Sequence, residues 1–335
     1  MKVLVTGATG FIGGNIVCEL LESGYAVKAL IQDKSELPVI EGLDIEWALG
    51  DLRDRSALWQ ALDGCSVLFH TAALYSYWTP EPKLVYEVNV QGTNNMLEAA
   101  RSRGIERIVF TSTESTIHIE NGKPGTELLV AKTEELSGHY KKSKLLAEIE
   151  ALGAAAAGMP IVVVNPTLPI GPGDHRPTPS GRIIVDYVNG KMPAFVDTLL
   201  NFVDVRDVAA GHRLAMEKGR VGERYILGNR NLTLMDFFRL LEAESGIPVP
   251  KVRLPFWVVL AAAYCSESIV AKALRKEPRI AIAAVRAAKK RRYFDCSKAI
   301  RELGFPQSPI EKAIRDALNW YKSRGYLNRE MSYAG

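Results

Sequence analysis

Apolar runs alternate with amphipathic stretches through the first half of the chain. The runs KVLVTG, AVKALI, SVLFHTAA, RIVFTST and IVVVNP are rich in Val and Ile and nearly unbroken by polar residues, which is the pattern of strands buried on both faces. Between them, residues 82–103 and 133–157 repeat apolar positions at helical spacing, and Gly24 follows CELLES where a helix stop belongs. This repeated strand, helix, strand order predicts an α/β fold built on a doubly wound parallel sheet. From Pro166 the pattern turns irregular. The proline-rich NPTLPIGPGDHRPTPSGR predicts a loop just beyond a strand's carboxyl end, where ligands bind in this architecture. Helical spacing returns over 232–330. Within it FWVVLAAAYC, residues 256–265, is too short to span a bilayer and predicts a buried helix, with peripheral membrane contact as the lesser reading.

The first strand runs into Gly7, Gly10 and Gly13, and a helical pattern follows at once. A helix N-terminus offers free N–H groups and a partial positive charge to a pyrophosphate, and glycines let the backbone come close. Spacing and context therefore predict a dinucleotide site, although the step is G-x-x-G-x-x-G rather than G-x-G-x-x-G.

Composition narrows the partners. The 335 residues, 47% hydrophobic and 24% charged, are those of an ordinary globular protein larger than one typical core. A net charge of +4 is too mild to predict nucleic-acid binding. KKRR at 289–292 reads as a solvated helix end before it reads as a contact for anionic membrane. Cys18, Cys65, Cys265 and Cys296 form no C-x-x-C pair, so reduced thiols in a cytoplasmic protein are expected. The first residues already begin a strand, which predicts no leader peptide. His70, His118, His139, His175 and His212 are not spaced as metal ligands, and no G-x-x-x-x-G-K-[ST] loop follows Gly7.

TGATGFIGGNIV resembles the cofactor turn of the extended short-chain dehydrogenase/reductase family, and further matches follow in order: GDLRD at 50–54, HTAA at 70–73, NVQGTNN at 89–95, NPTLPIGP, NFVDVRDVAAGH and SKAIRELGF. GHYKKSKLLAE and PTPSGRIIVDYVNGKMPAFVDT are most similar to hopanoid-associated sugar epimerases, with dihydroflavonol reductases and related ketone or aldehyde reductases next. The resemblance implies a Rossmann domain over 1–165 to which 199–230 return, and a smaller substrate-binding lobe from 166–198 and 231–335. It places Gly7, Gly10, Phe11, Ile12, Gly13, Asp51, Leu52, Ala72, Ala73, Pro166 and Thr167 against the cofactor. It also implies a homodimer paired through residues 84–103 and 140–157.

Tyr140 and Lys144 form Y-x-x-x-K, and the i, i+4 step puts both on one helix face. A cation near a phenol favours the phenolate, which makes tyrosine a usable general acid or base. The third member that the resemblance implies is a hydroxyl at the end of VFTST. That position is Thr113, where serine is commoner, and Ser112 and Ser115 are its neighbours. Cofactor choice is divided. Counting from Gly13 nominates Asp33 for the ribose, whereas the resemblance puts Ile31 where NAD users carry an acid and Gln32 where NADP users carry arginine. With Lys34 nearby, the lean is to NADP over NAD. Tyr75, Tyr77 and Trp78 are candidates for a substrate lid, and Asp174, His175, Arg176 and Arg182 lie in the proline-rich loop, with Arg182 as a partner for a phosphate or carboxylate.

Two reactions share this triad. A nucleotide-sugar epimerase passes a hydride to the cofactor and takes it back, whereas a ketone or aldehyde reductase consumes cofactor at every turnover. The resemblance favours the epimerase. A non-enzymatic cofactor-binding regulator is the remote third reading.

Overall fold

A computed structural model describes residues 1–33, 39–76, 78–120, 122–267, 281–289, 291–329 and 331. Its strands are β1 (Lys2–Thr6), β2 (Ala26–Ile31), β3 (Glu46–Leu49), β4 (Val67–His70), β5 (Arg107–Thr111), β6 (Ile161–Pro166), β7 (Leu168–Ile170), β8 (Ala194–Phe195), β9 (Leu199–Asp204), β10 (Arg224–Leu227), β11 (Arg230–Thr233) and β12 (Val252–Arg253). Seven of them form one parallel sheet in the order β10-β6-β5-β4-β1-β2-β3. The chain runs outward from β1 to β3, then crosses to β4 on the other side. That reversal opens a crevice between β1 and β4 at the strands' carboxyl ends.

Both faces of this sheet are covered. Val3, Val5, Ala29, Phe69, Val109 and Val164 point to the helices Phe11–Glu22 and Val205–Lys218. Their neighbours Leu4, Leu30, Leu68, Ile108, Phe110 and Val163 point to the helices Arg55–Ala61, Gly92–Arg103 and His139–Ala156. Successive strand residues face opposite sides, so a doubly covered strand must be apolar throughout, as the sequence has it.

Four details differ from expectation. Helical spacing from 133 matures into a helix only at His139, because Gly138 sits at φ +88° and breaks the turn ahead of it. The proline-rich stretch is not all loop: it holds β7, and Pro179 starts the helix Pro179–Val188, capped by Thr178. The short strands β3 and β10, absent from the expected set, complete the two edges of the sheet. The helix Phe256–Ser266 is not a buried one, since Ala263 is its one buried residue. Burial is what its apolar content alone predicts, yet the helix lies at the surface with its partner Ile282–Lys289.

A second, smaller core gathers Ile170, Ile184, Phe202, Phe237, Phe238, Ile314 and Tyr321 around the β11-β9-β7 sheet. Two return crossings stitch it to the first. Helix Val205–Lys218 follows β9 back onto the large sheet, and Ala299, Leu303 and Phe305 join the same large core. Lys298 Nζ donates to the Arg224 carbonyl at 2.8 Å and the Tyr225 hydroxyl to Glu302 at 2.9 Å, so the late helix Ser297–Leu303 is tied to β10.

Beneath the ends of β5, β6 and β10 lies a buried polar knot. Glu148 accepts from Thr116 Oγ1 at 2.7 Å and Asn165 Nδ2 at 2.8 Å, and pairs with Arg224 at 2.9 Å. Removing one partner of a buried pair strands the other's charge. Glu148→Ala is therefore expected to lower the unfolding free energy by about 3 kcal/mol or more in a urea titration, and Glu148→Ala with Arg224→Met to recover most of that loss.

Candidate functional site

A cleft of about 1270 Å³ runs from the crevice into the second lobe. Its first wall is the turn after β1. Gly7 has φ +69°, and a Cβ there would lie 2.8 Å from the Ala72 backbone; a Cβ on Gly13 would lie 2.1 Å from the Gly7 carbonyl oxygen. Only glycine fits these two places, because three stretches of backbone meet there. Gly10 caps the helix Phe11–Glu22 without any side-chain bond, so the first-turn N–H groups face the cleft rather than a cap. With Phe11, Ile12 and Gly13 along the same wall, the cradle fits a pyrophosphate.

The far end of this half is built from the ends of β2 and β3. Gln32 donates to Asp51 at 2.9 Å, and Arg53 grips the same carboxylate through Nε and Nη2 at 2.8 and 2.9 Å. The Arg53 guanidinium holds the Asp51 carboxyl below the usual carboxylate range, with burial opposing. Leu52 is buried against Gly92, where a Cβ would lie 2.7 Å away. Asp33 also lines this end, whereas Lys34 lies outside the described residues. Arg53 has no place in the motif reading: GDLRD points to Asp51 and Leu52, and the arginine two places on is the cation that the cleft receives.

At the centre stand Thr113, Tyr140 and Lys144, brought to one cleft wall by the end of β5 and the first turns of His139–Ala156. Thr113 caps the short turn Glu114–Thr116, and its carbonyl accepts from Asn165 at 3.1 Å. The Tyr140 ring meets Tyr75 edge-on, centroids 4.5 Å apart. Lys144 is fully enclosed: Nζ donates to the Thr111 carbonyl at 2.7 Å and lies 4.7 Å from the Phe110 ring centre. Burial pushes its ammonium down to about 8, against a smaller upward pull from Glu148.

A chain of hydrogen bonds fixes the Tyr140 helix to β1. Thr6 Oγ1 accepts from the Thr71 and Ala72 N–H groups, so its own proton goes to His70 Nδ1 at 2.9 Å. His70 Nε2 then donates to Thr93 Oγ1, which donates to the Asn89 carbonyl. Asn89 Nδ2 donates to Ser143 Oγ at 2.9 Å, and Ser143 to the Tyr140 carbonyl at 2.7 Å. Burial, with Lys144 adding repulsion, pushes His70 down to about 3, so it is a neutral link.

Ala72, Ala73, Pro166 and Thr167 line the cleft together with Ser112 and Ser115. Tyr75 does too, but Trp78 and Arg182 are not among the lining residues. The Trp78 N–H is bonded to Ser76, and Arg182 is exposed on Pro179–Val188 with Nε on the Pro177 carbonyl. Helical phase turns Arg182 outward, while Ser180 and Ile183 face in. Arg176 lies on the cleft wall, whereas Asp174 is spent inside the second lobe on Thr178 and the Tyr321 hydroxyl. Tyr77 is outside the described residues. Met192, Phe195, Val196, Leu200, Leu254 and Val258, which the sequence did not single out as site residues, line the cleft as well.

Residues 3–228 match the model of the NAD dependent epimerase/dehydratase family. The chain belongs to that family. It is thus an extended short-chain dehydrogenase/reductase and an NAD(P)-dependent oxidoreductase or epimerase. This family member is 44% identical over 97% of its length to 96% of a Synechocystis protein that carries the provisional name dihydroflavonol 4-reductase. It is 34% identical to sterol demethylase protein B of Methylococcus capsulatus, covering 98% of this chain and all of the relative. A solved structure described as gox2253 superimposes with a TM-score of 0.87 at 39% identity, over 98% of this chain and 99% of that one.

The Lys144 charge is costly to bury, and the cost has a pH signature. Below about 8 the amine is charged in folded and unfolded chains alike, and the penalty is complete. Between about 8 and its unfolded value of 10.5 only the unfolded chain holds the proton, so stability rises with pH through that window. Lys144→Met removes the titration. Between pH 7 and pH 10 the wild type is expected to gain on the order of 2 kcal/mol relative to the variant in paired denaturant titrations.

Proposed function

We propose that the protein is a reductase, or in the reverse sense a dehydrogenase, of a bulky apolar ketone or alcohol, using Thr113, Tyr140 and Lys144 and preferring NADP to NAD. The observation that carries this reading is the substrate end of the cleft, where Met192, Ala194, Phe195, Val196, Leu200, Leu234, Leu254 and Val258 outnumber the polar Thr178, Ser180 and Thr198. A nucleotide sugar asks for the opposite lining, polar groups for hydroxyls and cations for a diphosphate. Two relatives carry names that denote a flavonol and a sterol, and substrates of that character suit such a wall.

When bound, the nicotinamide supplies or accepts the hydride. The chain's own part is to hold and move a proton. Tyr140 gives its phenol proton to the substrate oxygen during reduction and takes it back during oxidation. Thr113 holds that oxygen through its hydroxyl, and the Lys144 ammonium favours the phenolate that proton loss leaves behind. The Arg53 cation at the adenosine end supports the preference for a 2′-phosphate, in the place that an arginine at 32 would otherwise fill.

Arg176 favours a second reading. It is an exposed cation on the cleft wall and suits the diphosphate of a nucleotide sugar, as the hopanoid-associated epimerase resemblance implies. A homodimer belongs to either reading. Leu146 and Ile149 are exposed on His139–Ala156, an apolar strip for a second copy of the same helix.

The two readings part on cofactor balance. A reductase consumes NADPH mole for mole with an apolar ketone, seen as loss of absorbance, whereas an epimerase interconverts a UDP-sugar with no net change in cofactor. Tyr140→Phe is expected to keep cofactor affinity and lower turnover by about two to four orders of magnitude. Turnover near that of the wild type overturns the triad, and epimerisation of a UDP-sugar without ketone reduction overturns the reductase.

A further inference from the structure

The helix Phe256–Ser266 has no polar face. Val258, Val259 and Ala262 look into the cleft, and on the other side Trp257, Ala261, Tyr264 and Cys265, at steps of four, seven and eight, are exposed. Trp257 is 71% exposed and Tyr264 44%, with Val252 52% exposed just ahead of the helix. A helix apolar all round is ordinarily covered on all sides, and among the described residues nothing covers the Trp257 side of this one.

Cations frame the bare face. Lys251 and Arg253 precede it and are exposed. From the neighbouring helix Ile282–Lys289, Arg286 donates to the Tyr264 hydroxyl at 2.7 Å and Lys289 lies 5.4 Å from the Phe256 ring centre. The segment that carries both helices, residues 251–291, has ten Lys or Arg and two Glu, whereas the rest of the chain has 32 basic and 36 acidic residues. The protein's mild positive charge therefore comes wholly from this segment, and the remainder is net acidic.

We propose that this face docks on an anionic lipid bilayer, with the helix Phe256–Ser266 lying in the plane of the interface. Its eleven residues cannot span a membrane, and no helix among the described residues is long and apolar enough to do so. A short apolar helix bearing Trp and Tyr and bordered by Lys and Arg has the composition of an interfacial one. The surrounding cations meet anionic headgroups while the acidic remainder is repelled, which orients the docked protein. A second copy of the chain is the less favoured occupant, because two such faces would bring their basic borders together. Docking also gives the cleft an entrance. The inward side of the docked helix is a cleft wall, so an apolar molecule dissolved in the bilayer meets the lining without crossing water.

The docking stands apart from the substrate reading, since it is measured with no substrate present. The full-length protein is floated with vesicles of phosphatidylcholine alone and of phosphatidylcholine with phosphatidylglycerol. The expected result is recovery with the anionic vesicles, lower by about tenfold with phosphatidylcholine alone or in high salt. Trp257→Glu, at a solvent-exposed site, should abolish flotation while leaving cofactor binding and the melting temperature unchanged. Lys251→Glu with Lys289→Glu should weaken it without touching the apolar face. The proposal is overturned if the protein stays unbound with anionic vesicles at low salt, or if Trp257→Glu floats as the wild type does. It is equally overturned if sedimentation shows a dimer that Trp257→Glu dissolves and that no vesicle captures.

Discussion

The close approach of two backbones, at Gly7 and Ala72, is the constraint on which the rest of the cleft depends. It goes with the strand order: the chain runs from β1 to β3 on one side and resumes at β4 on the other, leaving β1 and β4 adjacent and parallel with their carboxyl ends at one edge of the sheet. A side chain at Gly7 would hold the two apart. With them together, the first helix starts close to the sheet, its uncapped N-terminus opens on the crevice, and the Thr6 hydroxyl can accept from the N–H groups of Thr71 and Ala72. Geometry at one glycine thus sets both the phosphate cradle and the first link of the polar chain that reaches Tyr140.

That chain and the buried Lys144 oppose each other energetically. Each hydrogen bond from Thr6 to Ser143 satisfies a group that burial would otherwise penalise, whereas the ammonium is held in a place that disfavours its charge. Stability is given up at an ammonium that shares a cleft wall with the Tyr140 phenol, and the surrounding structure must supply the difference. His70 shows the complementary choice. It lies near the same cation, and the structure keeps it neutral and uses it only as a spacer between two threonines.

Strand positions and the glycine cradle were legible because their signals are local. A strand covered on both faces has to be apolar at every residue, and a regular glycine step between strand and helix answers a need for close backbone approach that few turns have. The meeting of Thr113, Tyr140 and Lys144 on one cleft wall was legible for the same reason, since an i, i+4 pair and a strand end carry their own geometry. What escaped were places made by chain segments far apart. Arg53 and Gln32, from the ends of β3 and β2, meet on the Asp51 carboxylate, and the apolar part of the cleft is drawn from residues 192–200, 234, 254 and 258, which lie in separate stretches of the chain. The placement of Arg182 escaped for a similar reason: its charge is visible in sequence, but the phase of Pro179–Val188 that turns it outward is not. The helix Phe256–Ser266 misled through composition, because apolar content reports a need for cover and not what provides it.

The late return of Ala299, Leu303 and Phe305 to the first core has a consequence for how the protein comes to exist. Once residue 227 has been added, all seven strands of the large sheet have been synthesised, yet the apolar surface beside β10 has no lid until some seventy-five residues later, when Ser297–Leu303 is made. The nascent large sheet must wait, with part of its flank uncovered, while Leu232 to Leu241 of the second core are made, and that core in turn waits for Ile310–Ser323. Domains generally fold as units in the order of synthesis, but here neither half is finished before the other.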